Sequence, residues 1–172
     1  MILLACESMD SKAGARALLL RALGEEYGLT ELPPMDYGPR SKPFFPGHPH
    51  IHFNLSHSGP YALCAVGERP VGVDIEVLRP RRATVPAGVF AEGEYRWYEE
   101  QGGGWGTFYT LWTRKESWVK YHGGAVARPK TVCPPLPGTS QTVPHLISLS
   151  GPGWHAAICA EERIPILQWI IF

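Results

Sequence analysis

The sequence has no excess of charge of either sign and no long apolar run. Lysine and arginine together number 16, and aspartate and glutamate also number 16. A dedicated nucleic-acid binder usually carries a basic excess, so this balance argues against that class. A membrane-spanning helix needs about 20 predominantly apolar residues, and no stretch approaches that length, so we expect no membrane segment.

The chain also lacks closely spaced cysteines. Its cysteines, Cys6, Cys64, Cys133 and Cys159, form no CxxC pair. This spacing argues against a zinc site or a disulfide scaffold and predicts a cytoplasmic protein in a reducing compartment. The opening MILLAC has no basic leader and is too short for a signal peptide, so we interpret it as an edge strand.

Periodicity and turn residues predict a mixed α+β fold. The 172 residues suffice for one compact unit, and 17 prolines and 19 glycines indicate many turns. Apolar residues at helical spacing predict helices at 11–27, 90–101 and 108–121. Shorter apolar runs predict strands at 51–55, 61–66, 71–77, 146–149, 154–160 and 166–171.

An internal similarity predicts two related halves. LSHSGPYALCA at 55–65 resembles LSGPGWHAAICA at 149–160, and each segment follows a predicted long helix. We therefore expect a pseudo-dimer of two similar halves, residues 1–70 and 71–172, each a small antiparallel sheet packed with a long helix. The halves would pack face to face, with the functional site at the seam.

The segment VGVDIE carries two carboxylates on one face of a predicted strand. Since side chains alternate along a strand, Asp74 and Glu76 point to the side opposite Val73 and Ile75. The pair is either a solvated edge face or half of a site for a hard cation such as Mg²⁺, which takes oxygen ligands. Gly72 on the same face leaves room for close approach of another element.

Two further segments carry candidate functional side chains. In LWTRKESWVK, Glu116 and Lys120 share a helix face and form either a surface ion pair or a third carboxylate with a cation. In FNLSHSG, Ser56, His57 and Ser58 lie in a predicted tight connection between strands. The histidine is either structural or, with the two serines, offers donors to an anion. The histidines of HPHIH are a weaker candidate for a transition-metal site, because Pro49 disfavours a regular strand.

These motifs in this order resemble the 4′-phosphopantetheinyl transferase superfamily, and the surfactin-type group in particular. FNLSHSG, VGVDIE and FYTLWTRKESWVK carry the resemblance, with SKPFFP, FAEGEY and GWHAAICA as supporting matches over residues 16–159. The resemblance implies an enzyme that moves the phosphopantetheine arm of coenzyme A onto a serine of an apo acyl or peptidyl carrier protein. The carriers would serve fatty acid, polyketide or nonribosomal peptide biosynthesis, and adenosine 3′,5′-bisphosphate would be released.

The resemblance also implies roles for individual residues. Asp74, Glu76 and Glu116 would hold Mg²⁺, with Mn²⁺ as an alternative, against the coenzyme A pyrophosphate. Glu116 would take the proton from the carrier serine, and Lys120 would neutralise the pyrophosphate. Further coenzyme A contacts would come from Arg16, Lys42, Ser56, His57 and Lys115. Because both halves of the site lie in one chain, we expect a monomer.

Two other functions are compatible with the same acidic residues. A Mg²⁺-dependent phosphohydrolase would use them to activate water, although no Nudix-like or aspartyl-phosphate motif is present. A non-catalytic relative would bind a carrier protein or coenzyme A without transfer. The joint presence of Asp74, Glu76, Glu116 and Lys120 argues against the non-catalytic alternative.

Overall fold

Mixed α and β structure is present throughout the computed structural model, which describes residues 1–38, 41–139 and 143–171. The strands are β1 (Ile2–Glu7), β2 (Asp36–Tyr37), β3 (Pro43–Phe44), β4 (His52–Ser58), β5 (Tyr61–Gly67), β6 (Val71–Val77), β7 (His145–Gly151), β8 (Trp154–Ala160) and β9 (Gln168–Ile170). The helices are α1 (Ser11–Tyr27), α2 (Val85–Val89), α3 (Glu92–Glu100), α4 (Trp105–Tyr121) and a 3₁₀ helix at Pro129–Thr131. The predicted α+β class is confirmed.

Two main sheets share a common strand order. The first sheet runs β4-β5-β1-β9, and the second runs β7-β8-β6. The order β4-β5-β1, with α1 between β1 and β4, corresponds to β7-β8-β6, with α4 between β6 and β7. This arrangement is compatible with the predicted pseudo-dimer. The predicted boundary between residues 70 and 71 falls between β5 and β6 and stays a prediction.

The sheets pack against each other, and each long helix covers an outer face. Alternate residues of the strands divide between the two sides. Leu3 and Leu63 of the first sheet pack with Val73 and Ile158 of the second in a buried cluster. The opposite face of the first sheet packs on α1, and that of the second packs on α4 through residues that include Cys159.

Strands β4 and β6 are the adjoining edges of the two sheets, and side chains join them. Asn54, Ser56 and Ser58 lie at every second position of β4, so they share one face. Each accepts a hydrogen bond from a backbone N–H of β6. Asn54 Oδ1 accepts the N–H of Val73 at 2.8 Å, Ser56 Oγ accepts that of Ile75 at 3.2 Å, and Ser58 Oγ accepts that of Val77 at 3.2 Å. We call these three side chains the β4 ladder.

Gly72 lets α4 lie directly on β6. A Cβ at this position would sit 2.1 Å from the Ser117 carbonyl oxygen and 2.3 Å from the Tyr121 backbone nitrogen. Real Cβ atoms do not approach backbone atoms so closely, so any side chain would push the helix away. The residue that the sequence singled out for close approach therefore sets the distance between the helix and the acidic strand.

The helix predicted at 11–27 is confirmed, and its ends follow from local chemistry. The Asp10 carboxylate accepts a hydrogen bond from the Ala13 backbone N–H at 3.0 Å and caps the N-terminus. Gly28 closes the helix with a left-handed backbone, φ 68°. The strands predicted at 71–77 and 154–160 are also confirmed.

Other predicted elements need correction. MILLAC is not an edge strand, because β1 lies between β5 and β9, pairing antiparallel with one and parallel with the other. Ser56, His57 and Ser58 belong to β4 rather than to a connection, and the turn comprises Gly59 and Pro60. The helix predicted at 90–101 is confirmed as α3, and the short helix α2 that precedes it was not predicted.

The described part of the chain has no helix that combines the length and the apolar character needed to cross a membrane. All four cysteines are unpaired thiols, and Cys6, Cys64 and Cys159 are buried.

We expect Gly72→Ala to destabilise the fold, because the added methyl group collides with backbone atoms of α4 that cannot rotate away. The free energy of unfolding should fall by about 1–3 kcal/mol or more, which is the usual cost of adding a group to a fully packed core. Urea unfolding measures it.

Gly93→Ala in α3 is the matched control, since a Cβ there meets nothing within 4 Å. Helix propensity favours alanine over glycine, so this variant should be equal to or more stable than wild type by up to about 1 kcal/mol. Equal stability of Gly72→Ala and wild type would contradict the close approach of α4.

Candidate functional site

Asp74 lies at the centre of the candidate site, where β6 faces α4. The residue is 4% exposed. Its Oδ1 atom accepts hydrogen bonds from Lys120 Nζ at 2.6 Å and from Ser56 Oγ at 2.9 Å. Lys120 Nζ is also 3.3 Å from Ser56 Oγ. Three elements, β4, β6 and α4, therefore meet at one carboxylate.

Glu76 follows Asp74 on the same face of β6 and is half-buried. Ser58 Oγ donates a hydrogen bond to Glu76 Oε2 at 2.7 Å. A cleft of about 390 Å³ opens beside this carboxylate. Its other walls are mainly apolar and come from Arg81, Val85, Val89, Phe108 and Trp112.

Glu116 completes the acidic cluster from α4. Burial and then the charge of Asp74 raise the pKa of Glu116 to about 7; Lys120 opposes this shift, and Glu76 adds to it. Burial also raises the pKa of Asp74, although the Lys120 ammonium and the Ser56 hydroxyl stabilise its charged form. The carboxylates therefore repel one another, and the Lys120 ammonium does not fully offset the cost of burying Asp74 and Glu116.

The donor set fits a hard cation, although a complete metal shell is not formed. Within residues 1–38, 41–139 and 143–171, no three His, Cys, Asp or Glu side chains are arranged to hold a metal ion. Asp74 Oδ2, however, is buried without a hydrogen-bond partner, which is costly for a carboxylate oxygen. Carboxylate oxygens are the ligands that Mg²⁺ prefers, and a cation would relieve the repulsion within the cluster.

Lys42 lies near this site but points to backbone atoms. Its Nζ donates to the Val71 carbonyl oxygen at 2.9 Å and to the Lys120 carbonyl oxygen at 2.8 Å. Burial lowers the pKa of Lys42 to about 8. Because Lys120 is in the last turn of α4, Lys42 places a positive charge at the negative end of the helix dipole. Lys42 also borders a cavity of about 300 Å³ with Phe44 and Tyr121.

Lys115 is not brought to the acidic cluster. Its side chain is fully buried, 0% exposed, and its Nζ forms an ion pair with Glu94 Oε2 at 2.5 Å. The same ammonium donates to the Pro129 carbonyl oxygen at 2.9 Å and to that of Val132. An ammonium has three protons, so these contacts leave none for a ligand. Lys115 joins α4 to α3 and to the loop that follows α4.

Arg16 and His57, the remaining predicted contacts to coenzyme A, are exposed. His57 lies on β4 with its side chain opposite to Ser56 and Ser58, and Arg16 lies on the exposed side of α1. The HPHIH histidines form no metal group among the described residues. His50 instead makes edge contacts with Tyr27 and His48, at ring-centroid distances of 5.9 and 6.1 Å.

Sequence reasoning did not identify the role of Asn54 and Ser58. The predicted strand ended at residue 55, so their shared face on β4 was not recognised. A period of two across NLSHS would have placed both with Ser56 and away from His57. Nothing in the sequence alone, however, indicates that β6 would lie along this face.

Comparisons with known proteins agree with the motifs. Residues 70–145 match the model of the 4′-phosphopantetheinyl transferase superfamily. The chain is 36% identical over 119 residues to a 4′-phosphopantetheinyl transferase of Bacillus subtilis, covering 68% of this chain and 50% of the relative. It is 41% identical over 130 residues to the 4′-phosphopantetheinyl transferase AcpT of Salmonella typhimurium, covering 71% of this chain and 63% of the relative.

A third relative is the 4′-phosphopantetheinyl transferase Sfp of Bacillus subtilis strain 168, 36% identical over 99 residues, which are 55% of this chain and 42% of Sfp. The matched part of the chain thus spans between 42% and 63% of the length of these relatives. All three are named as transferases. The comparisons confirm the resemblance of this chain to the 4′-phosphopantetheinyl transferase superfamily.

Proposed function

We propose that this protein transfers the 4′-phosphopantetheine arm of coenzyme A to a serine hydroxyl of an apo carrier protein. The observation that supports this most directly is the meeting of Asp74, Glu76, Glu116 and Lys120 between β6 and α4. Phosphoryl transfer is catalysed mainly by positioning and by neutralising charge on phosphate oxygens, and this cluster offers both kinds of group. The named relatives are transferases of this kind.

Asp74, Glu76 and Glu116 are the residues that would hold Mg²⁺, or Mn²⁺ in its place. The support comes from their oxygen donors, from the unpartnered Oδ2 of Asp74 and from the raised pKa of Glu116. The bound cation would neutralise charge on the coenzyme A pyrophosphate. Lys120 supplies the positive charge of the protein itself, and its Asp74 contact holds it at the cluster.

Glu116 has the properties needed to orient and deprotonate the carrier serine. Burial and neighbouring carboxylates raise the pKa of Glu116 to about 7 in the metal-free protein. A carboxylate that also holds a cation is a weaker base, so Glu116 would mainly orient the serine hydroxyl and accept its proton as the bond to phosphorus forms. In the proposed reaction the serine oxygen bonds to the phosphorus that carries pantetheine, and the bond to the bridging pyrophosphate oxygen breaks. The serine proton passes to Glu116, and adenosine 3′,5′-bisphosphate leaves. The apolar cleft beside Glu76 has walls suited to the pantetheine arm.

The nucleotide side of the proposed site uses exposed basic residues. His57 and Arg16 are free to reach a phosphate because both are exposed. Lys42, Ser56 and Lys115 are committed to partners inside the protein, so we propose structural roles for them rather than the coenzyme A contacts predicted from the motifs.

The proposed enzyme acts as a monomer, because one chain supplies the acidic pair, the two serines that contact it, Glu116 and Lys120. Its unpaired cysteines suit the reducing environment of the cytoplasm. Transfer activity proportional to enzyme concentration on dilution, and a monomer by light scattering, are the expected results.

Incubation with coenzyme A, Mg²⁺ and an apo acyl carrier protein tests the proposal directly. Mass spectrometry of the carrier should show the gain of one phosphopantetheine arm, and Asp74→Asn should abolish that gain. A phosphohydrolase would split coenzyme A without modifying the carrier, and a binding protein would leave both unchanged. Either outcome across a panel of fatty acid, polyketide and peptide carriers would refute transfer.

Glu116→Gln should stabilise the metal-free protein above neutral pH. Because the pKa of Glu116 rises from 4.5 to about 7 on folding, its ionisation opposes folding, and wild-type stability falls as pH rises through this range. The variant does not ionise there. Its melting temperature should therefore exceed that of wild type at pH 8, and the difference should disappear near pH 4.5.

Glu31→Gln, at an exposed loop position, is the control for the change in charge and should not show this pH dependence. Added Mg²⁺ should raise the melting temperature of wild type at pH 8 more than that of Glu116→Gln, because a ligand that binds only the folded state stabilises it. Identical responses of the two proteins to Mg²⁺ would exclude Glu116 from the cation site.

His57→Ala should weaken coenzyme A binding selectively. A hydrogen bond to a charged phosphate contributes roughly 1.5–3 kcal/mol, so affinity should fall by about 10- to 150-fold. Dephospho-coenzyme A, which lacks the 3′-phosphate, should bind nearly as before. Titration calorimetry with both ligands measures the difference, and equal losses would assign His57 a structural role in β4 instead.

A further inference from the structure

Ser58, like Ser56, contacts both the backbone of β6 and one of its carboxylates. A serine hydroxyl has one proton and two lone pairs. The proton is donated to Glu76 Oε2 at 2.7 Å, and a lone pair accepts the Val77 backbone N–H at 3.2 Å. The two bonds hold the hydroxyl from both sides, so its direction is set by the fold.

Glu76 needs such a restraint to remain at the cluster. Its side chain is half-buried, has several rotatable bonds, and shares a strand face with Asp74. Charge repulsion from Asp74 and from Glu116 favours rotamers that carry the Glu76 carboxylate into solvent. In the described structure, Ser58 is the residue that donates a side-chain hydrogen bond to this carboxylate.

We infer that Ser58 is a positioning residue, which holds the Glu76 carboxylate at the cation site of the proposed transferase. The inference rests on the proposed function. Residues that hydrogen-bond to ligating carboxylates orient them, and replacing such residues typically weakens metal affinity by roughly 10- to 100-fold. Ser56 makes the corresponding contact with Asp74, but it shares that carboxylate with the Lys120 ammonium. Ser58 donates directly to Glu76, whose nearby cation, Arg81, acts on it through charge rather than through an ion pair among the described residues.

The ladder itself supplies a control for the structural effect of losing a backbone acceptor. Asn54 accepts the Val73 backbone N–H at 2.8 Å, as Ser58 accepts that of Val77, but no hydrogen bond links its side chain to either acidic residue of β6 in the described structure. Replacing Asn54 removes one hydrogen bond between β4 and β6 and leaves the hydrogen bonds from Ser56 to Asp74 and from Ser58 to Glu76 in place. If replacing Ser58 weakens cation binding and replacing Asn54 does not, the effect comes from positioning Glu76 and not from a loss of stability.

Ser58→Thr and Ser58→Val form a matched pair, since both side chains are β-branched and of similar shape but only threonine has the hydroxyl. Mn²⁺ binding to each purified protein, without coenzyme A, is measured by electron paramagnetic resonance of the free ion. We expect Ser58→Thr to bind Mn²⁺ as wild type does and Ser58→Val to bind about 10- to 100-fold more weakly. Asn54→Ala should lose stability in urea yet keep wild-type Mn²⁺ affinity.

Equal Mn²⁺ affinities for Ser58→Thr and Ser58→Val would overturn the inference, as would an equal loss in Asn54→Ala. If Ser58→Val does not fold, Ser58→Ala replaces it and the same comparison holds. Wild type that shows no Mn²⁺ binding would also overturn it.

Carrier modification by wild type, measured in parallel, tests the proposed function separately. Transfer with equal Mn²⁺ affinities in the matched pair would leave the proposed function standing and remove the role of Ser58. Mn²⁺ binding that depends on the Ser58 hydroxyl, without transfer to any carrier, would support the role of Ser58 at a cation site and refute the transferase.

Discussion

Strands β4 and β6 meet edge to edge through the side chains of Asn54, Ser56 and Ser58, and the acidic cluster depends on the contacts that the two serines add. Two neighbouring strand edges usually pair through backbone groups and form one continuous sheet. Here side-chain oxygens replace backbone carbonyls as acceptors, and β4 and β6 belong to separate sheets. Unlike a carbonyl group, the hydroxyl groups of Ser56 and Ser58 can also donate a proton, and they donate it to the carboxylates of Asp74 and Glu76.

The cluster combines this restraint with an imbalance of charge. The carboxylates of Asp74, Glu76 and Glu116 lie near the Lys120 ammonium in a partly buried space. Burial raises the pKa of both Asp74 and Glu116, which shows that the protein alone does not stabilise their charges fully. Such an arrangement costs stability in the absence of a cation. It is typical of sites where charge compensation comes from a bound ligand rather than from the fold.

Helix α4 is held in place by basic groups that serve structure. Lys115 pairs with Glu94 of α3, and Arg114 donates to the Leu146 and Pro135 carbonyl oxygens. Burial lowers the pKa of Arg114 to about 10. At the C-terminal end of α4, Lys42 Nζ donates a hydrogen bond to the Lys120 carbonyl oxygen in the last turn. These contacts leave Lys120 as the basic side chain of α4 that faces the acidic pair, and Gly72 allows the short distance between them.

Sequence reasoning reached the elements and residues whose signals are local. The helix 11–27 follows from apolar periodicity, and the acidic face of β6 follows from the alternation in VGVDIE. Residues that make contacts distant in sequence were assigned less well. Lys115 lies beside Glu116 along the chain, yet the helix turns its side chain to Glu94. Ser58 contacts Glu76 because two sheet edges meet, which depends on the packing of the whole chain. Sequence alone determined which residues carry charge and which strand face they share; tertiary structure decided which charges meet, since a side chain's partners depend on how separate elements pack.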